Sequence, residues 1–217
     1  EWRNRKARRS GGELYEPVYT MADADAAIKL LAPCDYEQRI TLCEGIEVEF
    51  HDIGHLLGSA CIEVWVTEGD VTKKIVFSGD VGNTNQPIIR DPGKVSEADY
   101  VVIESTYGDR THGDERPDYV GEFTRILRET FSRGGNVVIP SFAVGRTQEL
   151  LYFIREIKER DLLPEFRGFE VYVDSPLAIE ATNVFNKNVK SCFDEEAMDL
   201  VEQGINPLIF PGLKTTI

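Results

Sequence analysis

Residues 100–106 read YVVIEST, and the pattern of the sequence changes at this point of the chain. The segment opens with a continuous apolar run, which is typical of a strand buried on both faces of a sheet. The preceding runs GIEVEFHDI (45–53) and SACIEVWVTEG (59–69) alternate apolar and polar residues instead, and KKIVFSGD (73–80) follows them after a short turn. The two alternating runs predict half-buried antiparallel strands, and the third run predicts a further strand.

Strand-like and helical segments alternate after residue 106. The strands predicted there are NVVIPSF (136–142), which is expected to be buried, and FEVYVDS (169–175). The predicted helices are PDYVGEFTRILRETFSRGG (117–135), RTQELLYFIREIKER (146–160), LAIEATNVF (177–185) and FDEEAMDLVEQG (193–204). Such alternation indicates parallel strand pairing with right-handed crossovers. We therefore expect an α/β protein: an antiparallel, α+β-like first part and a Rossmann-like second part that begins near residue 105.

The composition is that of a globular protein with a strongly acidic balance. The 217 residues carry 38 acidic and 24 basic side chains, a formal net charge of −14. This charge argues against a simple nucleic-acid-binding module and against adhesion to anionic membranes. No apolar run approaches the roughly 18 residues of a membrane helix, and the four scattered cysteines favour a cytoplasmic protein with reduced thiols.

The N-terminal region combines a basic cluster with a predicted helix. Arg3, Arg5, Lys6, Arg8 and Arg9 form a cluster with almost no acid nearby. It is read as a solvated helix face or as a contact to a nucleic-acid backbone. In TMADADAAIKLL (20–31), Thr20 is expected to cap a helix with Asp23 as its reciprocal partner.

Three polar residues follow the ends of predicted strands. His55 comes after VEFHDIG, Asp80 lies in SGDVG, and Glu104 follows YVVI. Strand ends are the usual active-site edge of an α/β sheet, and an imidazole with carboxylates is a donor set that zinc or manganese accepts. The alternatives are a packed or surface histidine at His55 and an Asx-turn or helix cap at Asp80.

A second candidate site lies in PSFAVGRTQE (140–149). A strand ends there, Gly145 permits a turn and Arg146 opens a helix, so backbone N–H groups and a guanidinium converge where a phosphate could bind. Ser141 adds a hydroxyl. The alternative is an ordinary strand-to-helix turn. VDSPLA (173–178) is interpreted as a structural helix start, and His51 and His112 as surface or supporting residues.

The motifs HDIGHLLGSA, FSGDVG, VVIESTYGDRTH, GGNVVIPSFAVGRTQELL and VYVDSPLAIEAT occur in this order along the chain. Together they resemble the metallo-β-lactamase-fold RNA hydrolases of the β-CASP group, over essentially the whole chain. The resemblance implies part of a metallo-β-lactamase αββα domain in residues 1–105, followed by a Rossmann-like, parallel-sheet β-CASP domain in residues 106–217.

The resemblance also implies roles for individual residues. His55 corresponds to an imidazole metal ligand, Asp80 to a carboxylate that bridges two zinc ions, and Glu104 to an acid that orients a catalytic histidine. Ser141 and Arg146 lie in the turn of the inserted domain that covers the metal cleft. The implied cofactor is two Zn²⁺ ions, with Mn²⁺ as an alternative, and the implied partner is single-stranded RNA. A homodimer is a further expectation.

The signature HxHxDH motif of this group is not found in the 217 residues, and the later β-CASP histidines are not found either. We therefore expect the chain to be a central segment, incomplete as a β-CASP domain and inactive alone. The implied reaction of the full-length protein is phosphodiester hydrolysis by an endonuclease or 5′ exonuclease. The alternatives are a non-catalytic scaffold subunit, a Rossmann-like nucleotide-binding domain and another hydrolase of the same fold.

Overall fold

The computed structural model describes residues 2–110 and 117–216. The chain divides into two compact units, Glu1–Asp35 and Tyr36–Ile217. The predicted domain boundary between residues 105 and 106 stays a prediction. No helix in the two described ranges has the length and apolar character needed to cross a bilayer.

The first unit contains helices α1 (Trp2–Ser10) and α2 (Met21–Ile28). The predicted start of α2 is confirmed. Asp23 N–H donates to the Thr20 hydroxyl (3.4 Å), and Thr20 N–H donates to the Asp23 carboxylate (2.7 Å). These reciprocal bonds satisfy two backbone donors that a helix start otherwise leaves unpaired.

The second unit opens with a mixed sheet. Its strands are β1 (Ile40–Cys43), β2 (Ile46–Asp52), β3 (Ala60–Glu68), β4 (Val71–Phe77) and β5 (Tyr100–Val102). Their order across the sheet is β1-β2-β3-β4-β5; the first four strands pair antiparallel, and β5 is parallel to β4. The antiparallel prediction for the two alternating runs is therefore confirmed, and the third predicted strand is formed as β4. β1 was not predicted.

The prediction that the YVVI run is buried on both faces was wrong. β5 lies at the edge of the sheet, and Tyr100, Val101, Val102 and Ile103 are between 54% and 69% exposed. The run does form a strand, because branched and aromatic side chains favour extended backbone. Its burial depends on neighbours, and the described residues place β4 alone beside it.

Helices dominate the remainder of the second unit. They are α3 (Tyr119–Ser132), α4 (Arg146–Glu159), α5 (Pro176–Lys187), α6 (Val189–Cys192) and α7 (Glu195–Glu202), with a 3₁₀ turn at Pro164–Phe166. Strands β6 (Val171–Val173) and β7 (Leu213–Thr215) pair in parallel. Predicted helices and the strand at β6 are confirmed, as is the mixed α/β class with parallel pairing.

The predicted buried strand NVVIPSF is not formed. Residues 136–142 are irregular, and Val138 and Phe142 are 88% and 85% exposed. Pro140 removes a backbone donor from the centre of the run, which weakens any ladder there.

The largest core cluster joins the helices to loops of the five-stranded sheet. Its buried members are Ile88, Leu151, Tyr152, Ile154, Phe185, Phe193, Ala197, Leu208 and Phe210. Leu57, in the loop after β2, packs against this cluster, and Ile89 forms a bridge with Phe193. The loops that follow β2 and β4 are thereby held against the helical part.

Candidate functional site at the strand ends

The directions of three strands bring His55, Asp80 and Glu104 to one edge of the sheet. β2 and β4 both run antiparallel to β3, and β5 runs parallel to β4. The C-terminal ends of β2, β4 and β5 therefore lie at the same edge, and each of the three residues follows one of these ends. The sequence predicted this arrangement from the polar residue after each strand.

The loops after β2 and β4 are in direct backbone contact. Gly82 N–H donates to the carbonyl oxygen of Ile53 (2.9 Å). A Cβ at Gly82 would lie 1.8 Å from the Gly54 oxygen and 2.6 Å from His55 N, so no larger residue fits. Asp80, two residues before Gly82, is thereby held next to the loop that carries His55.

Side-chain hydrogen bonds shape the turn around His55. The Asp52 carboxylate accepts from Gly54 N–H (2.9 Å), and the Ser59 hydroxyl accepts from the N–H groups of His55 (3.1 Å) and Leu56 (3.2 Å). These bonds occupy backbone donors of the turn, and the His55 side chain is half-buried. Ser59 was missed by the sequence interpretation; a serine four residues after the histidine in a Gly-rich turn is its only signal.

Glu104 is tied to the loop that contains Asp80. Its carboxylate accepts from Val81 N–H (2.7 Å), and its own N–H donates to the Ser78 hydroxyl (3.0 Å). A hydrogen bond from the Thr106 hydroxyl, then the bond from Val81 N–H, lower the pKa of the Glu104 carboxyl, and His55 lowers that pKa further. Glu104 is therefore an ionised acceptor that orients the 78–82 loop.

The residues present fit part of a zinc site. His55 supplies an imidazole and Asp80 an exposed carboxylate, for which the structure shows no hydrogen bond within the described residues. Zinc accepts these donor types, but it takes four ligands in structural sites and at least three protein ligands in catalytic ones. This edge therefore supplies two of the donors that such a site needs.

The second predicted site, the 140–149 turn, has its polar groups engaged internally. The Ser141 and Thr147 hydroxyls are 2.8 Å apart, and Thr147 donates to the Phe142 oxygen (2.7 Å). Arg146 pairs with Glu149 (2.5 Å), and its side chain is 63% exposed. Arg146 therefore remains accessible to a ligand, in competition with Glu149, whereas the Ser141 hydroxyl is already bound to Thr147.

Gln148 holds this turn in place, and the sequence interpretation missed it. The fully buried side chain accepts from Gly145 N–H (2.7 Å) and donates to the oxygens of Ala143 (3.1 Å) and Thr182 (2.9 Å). It thereby ties the start of α4 to α5. A polar residue at a helix position that also faces the core was its one signal in the sequence.

The 140–149 turn and the His55 loop touch each other. Gly145 has a φ of +83°, and a Cβ there would lie 2.6 Å from Cδ2 of Leu56, the residue after His55. Glycine is needed for both the backbone conformation and the close approach. The two sites predicted separately therefore belong to one surface. His112, the other histidine considered, lies outside the described residues.

Comparisons with known proteins agree with this architecture. Residues 147–217 match the family model described as the Beta-Casp domain. Ribonuclease TTHA0252 of Thermus thermophilus is 37% identical over 199 residues, which are 92% of this chain and 43% of that protein. An RNase J-like protein of Methanocaldococcus jannaschii is 31% identical over 192 residues, 88% of this chain and 44% of that protein.

A further relative extends the comparison. Endoribonuclease YSH1 of Yarrowia lipolytica is 28% identical over 206 residues, 94% of this chain and 24% of that protein. The chain thus spans less than half the length of these relatives, and the similarity runs through both the antiparallel sheet and the helical part. Residues 147–217 therefore belong to the Beta-Casp domain family, and 92% of the chain is similar to a protein named as a ribonuclease.

Proposed function

We propose that the full-length protein hydrolyses phosphodiester bonds of RNA at the edge formed by the loops after β2, β4 and β5. The observation that carries the proposal is the contact between Gly145 and Leu56, which places the 140–149 turn beside His55. A metal-ligand edge and a phosphate-binding turn then share one surface. Relatives named as ribonucleases and an endoribonuclease support RNA as the substrate.

His55 and Asp80 would hold zinc, with Mn²⁺ as the alternative. When bound, zinc supplies hydroxide at neutral pH and offsets the negative charge that develops on phosphate oxygens. The chain's own residues position the loops and the substrate. Glu104 fixes the 78–82 loop through Val81 N–H, Ser59 fixes the His55 turn, and Arg146 lies where it can pair with a phosphate of single-stranded RNA.

The test uses the full-length protein with zinc and a labelled single-stranded RNA. We expect His55→Ala and Asp80→Asn each to lower cleavage by at least about 10²-fold and to lower bound metal, because each removes a metal ligand. Asp70→Asn is the matched control: Asp70 is an exposed aspartate in the turn before β4, at the opposite end of that strand, and its replacement should leave cleavage unchanged. A chelator should abolish cleavage by the wild type.

The outcome separates an enzyme from a non-catalytic scaffold subunit. The 217-residue chain alone should show no cleavage above background, because His55 and Asp80 are too few donors for a catalytic zinc. Full metal content and normal cleavage in both variants would mean that His55 and Asp80 have structural roles and are not metal ligands. RNA binding without metal-dependent cleavage by the full-length wild type would identify the scaffold.

A further inference from the structure

A second group of metal-binding side chains lies on one face of the sheet, within the strands rather than after their ends. Glu49 on β2 is directly opposite Glu63 on β3, and His51 is two residues further along β2 on the same face. His51 Nε2 lies 3.6 Å from one oxygen of each carboxylate. The three side chains are between 7% and 20% exposed.

The geometry leaves the imidazole nitrogen without a partner. A separation of 3.6 Å is too long for a good hydrogen bond, and His51 Nε2 is buried with no hydrogen-bond partner in the described part of the chain. Ligands of a tetrahedral zinc at the usual bond lengths are about 3.4 Å apart. Both nitrogen-to-oxygen distances are therefore close to the spacing of zinc ligands, and the three potential ligand atoms all lie within 4.8 Å of one another.

Two cations hold the opposite sides of the carboxylates. Lys74 Nζ lies 2.7 Å from the Glu63 oxygen that faces away from His51, and Arg39 Nε lies 3.8 Å from the corresponding oxygen of Glu49. The Arg39 guanidinium is itself stacked 3.4 Å over the Trp65 ring. Each carboxylate thus has one oxygen near a cation and the other near the imidazole.

We propose that Glu49, His51 and Glu63 form a site for one Zn²⁺ ion, separate from the predicted ligands His55 and Asp80. Carboxylates directly opposite each other in a sheet repel, and an ion between them removes that repulsion. Three protein donors leave the fourth zinc position open to solvent. Such an ion would fasten β2 to β3 immediately before the loop that carries His55.

The test is zinc and cobalt titration of the metal-free chain in a His55→Ala/Asp80→Asn background, which removes the two other predicted ligands. We expect one equivalent of Zn²⁺ by calorimetry, visible absorption of tetrahedral Co²⁺, and a higher Tm with zinc, because an ion that binds the folded state stabilises it. Adding His51→Ala or Glu63→Gln should weaken binding at least ten-fold. If His51→Ala or Glu63→Gln does not fold, His51→Gln is measured in its place.

Glu47→Gln is the matched control, since Glu47 lies on the same face of β2, pairs with Arg39 and is more exposed. It should bind zinc as the parent does. Binding that is unchanged without His51, or no binding in the parent, would overturn the proposal and leave an ion-pair network.

Lys74→Met further distinguishes a zinc site from an ion-pair network at these three residues. It removes the cation that competes for Glu63, so a metal site predicts tighter zinc binding and a lower Tm that zinc restores. An ion-pair network predicts a lower Tm that zinc does not restore. The second result would contradict the proposal, which does not depend on the proposed nuclease activity.

Discussion

At the scale of the residue, the candidate site is positioned mainly by bonds to backbone groups. Ser59 and Asp52 bind N–H groups of the His55 turn, Glu104 binds Val81 N–H, and Gln148 binds Gly145 N–H. Backbone groups of a loop have no ladder to satisfy them, so side chains take that role. The His55 and Asp80 side chains are thereby left to interact with a ligand.

Arg146→Ala tests the phosphate role of the 140–149 turn. We expect the full-length variant to bind single-stranded RNA about five-fold more weakly, the size of one exposed charged contact, with a similar loss for different sequences. The slope of log affinity against log salt should shrink by about one unit or less. Fluorescence anisotropy at several salt concentrations measures both.

Glu149→Gln is the companion variant for this measurement. Glu149 pairs with Arg146, so removing its charge frees the guanidinium and should tighten RNA binding. If Arg146→Ala instead lowers the Tm and leaves the salt slope unchanged, Arg146 only supports the start of α4.

At the scale of the element, periodicity predicted the strands and helices whose faces it defines. β2 and β3 follow the alternating pattern, and α3, α4, α5 and α7 follow the helical one. The apolar runs at residues 100–103 and 136–142 were less informative. An apolar run indicates that its side chains must be buried, but it does not show which helix or strand buries them. β1 and β7 are short strands whose existence depends on their neighbours.

The sequence pattern was similarly limited in predicting the two candidate metal sites. A polar residue after each strand was enough to predict that His55, Asp80 and Glu104 share an edge. The alternation in β2 also places Glu49 and His51 on one face. Their position opposite Glu63 depends on the register of β2 against β3, and the loop at residues 53–59 is too long for turn chemistry to determine that register. The contact between Leu56 and Gly145 is long-range and had no local signal.

Asp194 gives a pH-dependent prediction for α7. It caps this helix by accepting from Ala197 N–H (2.7 Å), yet burial, with a contribution from Glu196, raises the pKa of its carboxyl above the usual 3.8. The folded chain therefore holds this proton more tightly than the unfolded chain. Its contribution to stability is full below pH 3.8 and is lost as the pH rises through the folded pKa.

Asp194→Asn should remove this loss, because asparagine caps equally well and carries no charge. We expect a Tm a few degrees above that of the wild type at pH 7, where about 1 kcal/mol corresponds to 2–4 °C, and no gain near pH 3. Calorimetry between pH 3 and pH 7 measures the difference. Asp118→Asn, at the exposed cap of α3, is the control for replacing an aspartate cap by asparagine. An equal gain in Tm at pH 3 and pH 7 for Asp194→Asn would contradict the prediction.

At the scale of the whole molecule, the charge opposes the proposed substrate. A net charge of −14 repels RNA over a range set by the Debye length, about 8 Å at physiological salt. RNA binding must therefore depend on local cations, of which Arg146 and bound metal ions belong to the proposed site. Removing the metal should weaken RNA binding as well as cleavage for this reason.

The last prediction concerns the two compact units. In residues 3–35, Ala7 is the one described side chain that is buried, and Val18, Leu30 and Leu31 are at least 76% exposed. The core clusters lie entirely in residues 53–210. We therefore expect a chain of residues 36–217 to fold alone, with a Tm within about 4 °C of that of the 217-residue chain, which corresponds to about 1 kcal/mol or less.

Thermal unfolding followed by circular dichroism compares the two chains directly, and near-ultraviolet spectra report on the packing of the aromatic core around Tyr152 and Phe193. The ellipticity lost on deletion should correspond to α1 and α2 alone. A chain of residues 36–217 that aggregates, or that melts without a cooperative transition, would mean that the first unit stabilises the second despite burying almost nothing of its own. Because both sheets, helices α3 to α7 and both candidate metal sites lie within residues 36–217, zinc binding at Glu49, His51 and Glu63 should survive the deletion unchanged.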